Sequence, residues 1–135
     1  MRPSLALAIG AVFSVVIGLP ILLAPAQMLS ALGIAAPPDI ALVQARDTGT
    51  VLIGLGVINW LARDAVGAPL RGLLWGNLFI RVAAMLVNYW ELAIGLMPSG
   101  AASLFPALTA INVALIVMFG LALRQAYGGA RSLPG

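Results

Sequence analysis

The stretch Trp75–Met97, WGNLFIRVAAMLVNYWELAIGLM, decides the fold. Its length and apolar character suit a membrane-spanning helix, yet Arg81 stands near its middle and Glu91 further on. The whole chain supports the membrane reading. Of its 135 residues, 62% are hydrophobic and 8% charged, with a mean hydropathy of +1.10, far from the balance of a soluble domain. That length holds four spans and no separate soluble domain. The expected fold is therefore all-α, a transmembrane four-helix bundle in a single integral membrane domain.

Working outward from the opening stretch, the third span covers about residues 72–97, the second about 41–62, the first about 4–24 and the fourth about 104–123. The first follows Arg2 and Pro3, where proline is tolerated because the first amides of a helix lack intrahelical acceptors. Its end, LLAPAQ, carries an A-x-A pattern, but the apolar run exceeds the core of a signal peptide. Between spans one and two, PAQMLSALGIAAPPDI (25–40) is too interrupted by proline to span and too apolar for a solvated loop. It predicts a short interfacial helix around Gln27–Leu32. RDAVGAPLR (63–71) is a charged turn and PSGAAS an uncharged one; Pro106 is expected in the first turn of the fourth span, and GGARSLPG from Gly128 reads as a flexible tail.

The seven basic residues are all arginine and lie singly along the chain, so the positive charge sets topology rather than contacting nucleic acid. Arg2, Arg63, Arg71, Arg124 and Arg131 fall on one side of a four-span bundle, which places both termini in the cytoplasm of a cell with the chain in its inner membrane. Lysine, histidine and cysteine are absent. Disulfides, thiol redox chemistry, Schiff bases and histidine-ligated metals or haem are thereby excluded, and neither a metal nor a cofactor is expected.

Counted from Arg71, Arg81 lies about 15 Å deep and Glu91 about 30 Å; counted from Arg63, Arg46 and Asp47 lie about 24–26 Å deep. Glu91 is thus expected to meet Arg46, and the long stem of Arg81 to reach Asp47. At 100° per residue Asn77, Arg81, Ala84, Asn88 and Glu91 fall within about 80° of arc, a polar stripe on the third helix. Asp47, Thr50 and Gly54 share a face of the second helix, and Asn112 lies near the centre of the fourth. These faces are expected to converge. The candidate binding residues are Arg81, Asp47, Arg46, Glu91, Asn77, Asn88, Asn112 and Thr50; no catalytic residue is named. An ion-paired network that only fixes helix register is the competing reading. Trp60, Trp75, Tyr89 and Trp90 read as interfacial anchors. In the first span Ala6, Gly10, Ser14 and Gly18 recur every fourth residue, a small-residue ladder that lets another helix approach closely in lipid; it is expected to be the face for association with a second copy or a membrane-protein partner.

The segments GLPILLAPAQMLSALGI and ARDTGTVLIGLGVINWLAR carry a Pro-containing turn with a Leu-Gly ending and a second helix opening with Arg then Gly, at Pro25, Leu32, Gly33, Arg46 and Gly49. In this, roughly residues 1–63 resemble the small four-span bacterial membrane proteins of the DoxX-like group. The resemblance implies a four-helix bundle without an assured activity. Some of those relatives accompany membrane oxidoreductases, and sterol-pathway scaffolds have a similar architecture. The functional expectation is a non-enzymatic membrane subunit or scaffold with a polar pocket, open to the outer side, for a lipid or small molecule. A small transporter or channel using Arg81, Asp47 and Glu91 is the alternative, and a lipid-modifying enzyme using Asp47 or Glu91 as acid or base is a further one.

Overall fold

A computed structural model describes residues 1–128; the tail from 129, with Arg131, lies outside the described residues. Those residues form five helices and no strand: α1 (Pro3–Leu23), α2 (Pro25–Ala31), α3 (Asp39–Leu61), α4 (Gly67–Ala93) and α5 (Ser99–Gly128). All but α2 are long and apolar enough to cross a membrane, at about 32–45 Å by the rise of 1.5 Å per residue. Their outward residues include Val51, Phe79, Leu86 and Leu121, side chains that lipid solvates without cost. The chain is an integral membrane protein.

The spans differ from the expected bounds where turn chemistry decides. Helix α4 begins five residues early, at Gly67, because Pro69 sits in a first turn that does not need its amide. It ends at Ala93 because Gly95 adopts φ +72°, so that the Leu96 amide donates to the Glu91 carbonyl at 3.0 Å and closes the helix. Helix α5 also starts early, at Ser99, which places Pro106 inside the helix rather than in its first turn. The short helix between the first two spans is α2. It is closed by Gly33 at φ +93°, whose backbone lies against Gly100: a side chain at Gly100 would come within 2.6 Å of the Leu32 carbonyl carbon. Here α2 reaches across to the start of α5.

Packing runs antiparallel between α1 and α3, where backbones nearly touch. A Cβ added at Gly49 would lie 2.6 Å from the Leu22 amide, and one at Gly56 2.9 Å from the Ala11 carbonyl. Gly18 in turn faces the Gly49 carbonyl at 2.9 Å, and Gly10 faces Phe119 of α5 at 2.7 Å. The small-residue ladder of α1 is therefore buried within the chain, with Ala6, Gly10, Ser14 and Gly18 all inaccessible. This corrects its expected role. Close approach does occur along it, but the approaching helices are α3 and α5 of the same molecule, so the ladder offers no free face to a partner.

At the end of the bundle that carries the termini, Ala6, Leu7, Leu70, Leu74, Phe119, Ala122 and Leu123 form one apolar core. Beyond Arg81 no further residue of α4 is buried, and before Leu115 none of α5 is. The bundle is thus closed at the end with the termini and open between its two helix pairs at the other.

Candidate functional site

The layer that separates the closed half from the open half is polar. Asn59 of α3 and Asn77 of α4 exchange two hydrogen bonds, each side-chain amide donating to the other's carbonyl oxygen at 2.8 Å, and Asn77 also donates to the Leu73 carbonyl at 2.9 Å. Both are inaccessible or nearly so, at 0% and 3% exposure, and every amide needs such a partner in hydrocarbon. Asn59 also passes beside Gly10, its amide nitrogen lying 3.5 Å from where a Cβ would stand. Asn77, a candidate binding residue by sequence, thus serves to join α3 to α4 through Asn59.

Arg81 stands one turn further along α4, at the midpoint of the helix. It is 8% exposed, its guanidinium carbon lies 4.9 Å from the centre of the Phe13 ring, and its buried Nε has no hydrogen-bond partner. No described side chain or carbonyl accepts from it. The cation–π contact favours the cation by about 0.5–2 kcal/mol but satisfies no N–H. One further buried polar atom is left over in the described chain, the hydroxyl of Ser14, at 0% exposure. Ser14 follows Phe13 on α1 and lies one turn beyond Gly10, as Arg81 lies one turn beyond Asn77, so helix register puts the two unsatisfied groups at the same level.

The expected ion pairs are not formed. Among the described residues the one pair within 4.0 Å is Arg63 with Asp64, at 3.7 Å and exposed. Arg81 does not meet Asp47, and Arg46 does not meet Glu91. Rotation of α3 is the cause. Gly49 and Gly56 must face α1, and Asp47 lies two residues before Gly49, about 200° around the helix. Asp47 therefore points away from α1, Thr50 lies at its side and Arg46 on the flank nearer Gly49; all three are exposed, and the Thr50 hydroxyl donates to the Arg46 carbonyl within its own helix at 3.0 Å. The face of Asp47, Thr50 and Gly54 exists as read, but it points outward instead of joining the stripe of α4. Asn88, Glu91 and Asn112 are half-buried. Asn88 and Glu91 continue the stripe of α4 from Arg81 into the open half, whereas Arg46, Asp47 and Thr50 take no part in it.

Two apolar grooves mark the lipid-facing surface. One, of about 380 Å³, runs between α1 and α3 beside Val15, Gly56 and Trp60, and contains none of the candidate residues. The other, of about 470 Å³, follows α1 past Ala8, Ile9, Val12, Phe13 and Val16, and so ends on the ring that carries Arg81. Near the termini Arg63 lies over the Trp60 ring at 4.4 Å, Arg71 over the Tyr127 ring at 5.3 Å, and the Trp75 indole donates to the Tyr127 hydroxyl at 3.4 Å. At the opposite end Tyr89 packs edge-on against Phe105.

Compared with protein families, with curated proteins and with solved structures, the chain matches none.

Proposed function

We propose that this protein is a non-enzymatic subunit or scaffold of a bacterial inner membrane that holds a lipid or small molecule in a polar pocket beginning at Arg81. The observation that carries the reading is the unpaired guanidinium. An arginine at the centre of a spanning helix costs about 2.5–3.5 kcal/mol even on lenient scales. A carboxylate of the chain would offset this in a network that served only the fold, yet each of the four carboxylate side chains lies beyond ion-pair distance of Arg81. Next to it lies the half of the bundle in which α4 and α5 bury no residue, with Asn88, Glu91 and Asn112 half-buried along its sides.

Transport is the less favoured reading, because a conduit needs a continuous polar path and the half with the termini is closed by the apolar core around Phe119. Arg2, Arg63, Arg71 and Arg124 gather at that same end, in support of cytoplasmic termini. A subunit role draws its support from α3. Arg46, Asp47 and Thr50 are exposed on a spanning helix, a surface better matched to a partner protein or second copy than to lipid. Kinship with the DoxX-like group accords with the four spans. The test is unbiased mass analysis of whatever co-purifies with the protein and with Arg81→Met. A compound enriched on the wild type and lost from the variant is expected; recovery of bulk membrane lipid alone, equal for both, would reduce the protein to a plain scaffold.

A further inference from the structure

Resting on the pocket just proposed, we infer that Arg81, with Ser14 at its level on α1, is the binding site for the carboxylate of a single-chain amphiphile such as a fatty acid, whose chain lies in the groove along α1. Of the two unsatisfied buried polar atoms of the described chain, the Arg81 Nε–H can only donate and the Ser14 hydroxyl can donate or accept. A guest that completes the arginine must accept, as a carboxylate does from both groups, and the planar guanidinium presents parallel donors that match two oxygens on one centre. Charge narrows the class. Arg81 is the sole buried cation among the described residues; Arg46 is exposed on α3 and Arg71 sits near the end with the termini. One unit of negative charge neutralises the site, as a carboxylate or a phosphodiester does, while a phosphate monoester would bring nearly two. A phosphodiester headgroup at the midpoint of α4 would draw two acyl chains to it, whereas of the two grooves described the one past Phe13 alone touches the ring that carries Arg81.

That groove is the second independent observation. Its walls, Ala8, Ile9, Val12, Phe13 and Val16, are apolar, and Ile9, Val12 and Val16 are exposed on the lipid-facing side of α1. Phe13 belongs to both the groove and the guanidinium contact. An acyl chain lying against Val12 and Val16 would therefore bring its carboxylate to Arg81 without leaving an apolar surface. The Asn59–Asn77 pair sets the floor: its donors and acceptors are already matched to each other, so it supplies no competing contact and stops the headgroup from sinking further.

The test uses the full-length protein, delipidated in a neutral maltoside detergent, with oleate, methyl oleate and acetate as probes and bound mass read by native mass spectrometry. Oleate is expected to bind at one site per chain, and methyl oleate and acetate at least tenfold more weakly. Ser14→Ala should weaken oleate about tenfold, the size of one hydrogen bond to a charged group, and Arg81→Lys should retain weakened binding that Arg81→Gln lacks. Equal binding of methyl oleate and oleate would overturn the carboxylate assignment, and acetate binding as tightly as oleate would overturn the amphiphile. Unchanged oleate binding by a folded Arg81→Gln would place the site elsewhere. Should Arg81→Gln fail to fold, Ser14→Ala and the ester comparison still decide. A native neutral compound recovered from the wild type, together with no oleate binding, would leave the pocket standing and refute this inference alone.

Discussion

Replacing Asn77 by Leu keeps the approximate side-chain size and removes the two 2.8 Å hydrogen bonds that join α3 to α4. Within membranes such bonds average about 0.6 kcal/mol each and reach about 1.7, so their loss contributes about 1–2 kcal/mol. The substitution also leaves the Asn59 amide orphaned where it is fully inaccessible, which raises the total to about 2–3 kcal/mol. Asn59→Leu should cost a similar amount for the mirrored reason. In the double variant neither amide is present, two leucines face each other, and the loss should fall to about 1 kcal/mol or less. The cycle therefore predicts a coupling of about 3–5 kcal/mol between the two positions. Reversible unfolding in mixed micelles with increasing dodecyl sulfate measures all four proteins. Single variants within about 0.5 kcal/mol of wild type, or a double variant as unstable as the sum of the singles, would refute the claim that this pair ties α3 to α4.

Three further outcomes follow from the packing. Gly56→Leu and Gly49→Leu should destabilise by more than about 3 kcal/mol, since the added atoms meet the α1 backbone at Leu22 and Gly18 from Gly49, and the branched Val15 side chain and the Ala11 carbonyl from Gly56; Gly54→Leu, with open space around it, should be near neutral. Thr50→Cys should cross-link to a second copy or a partner in native membranes, whereas Ser14→Cys should not, because Ser14 is buried inside the chain; the reverse pattern would restore α1 as the association face. A reporter fused at Gly135 should be active in the cytoplasm, and activity confined to the periplasm would invert the assigned orientation.

The architecture was legible because hydropathy and proline position act over whole segments, and membrane crossing tolerates few alternatives. The inward placement of Arg81 could also be read, from its spacing to Asn77 on one helical face. What the spacing of charges could not supply was rotation. Counting residues from Arg63 gives the height of Asp47 in the bundle, but the direction of its side chain follows from which face of α3 meets α1. The sequence does hold that signal, in Gly49 and Gly56 seven residues apart on one face, opposite to Asp47. The ladder on α1 illustrates a different limit. Small residues every fourth position announce that a helix will approach closely, and the spacing is the same whether that helix belongs to the same chain or another. Ser14 stands out only as a small residue of that ladder and Phe13 not at all, since a phenylalanine in an apolar run gains significance only when Arg81 is placed over its ring.

The central claim, that Arg81 is held at mid-membrane by a guest carboxylate and not by the chain's own acids, is tested most directly by solid-state NMR. The protein, carrying ¹⁵N-arginine and reconstituted with oleate ¹³C-labelled at its carboxyl carbon, would be probed by rotational-echo dephasing between the two labels. A hydrogen-bonded contact sets the nitrogen-to-carbon distance at about 3.5–4 Å, and the account predicts strong dephasing of one arginine side chain, lost in Arg81→Lys and retained in Asp47→Asn. Absence of dephasing at saturating oleate, or dephasing that survives in Arg81→Lys, would contradict it.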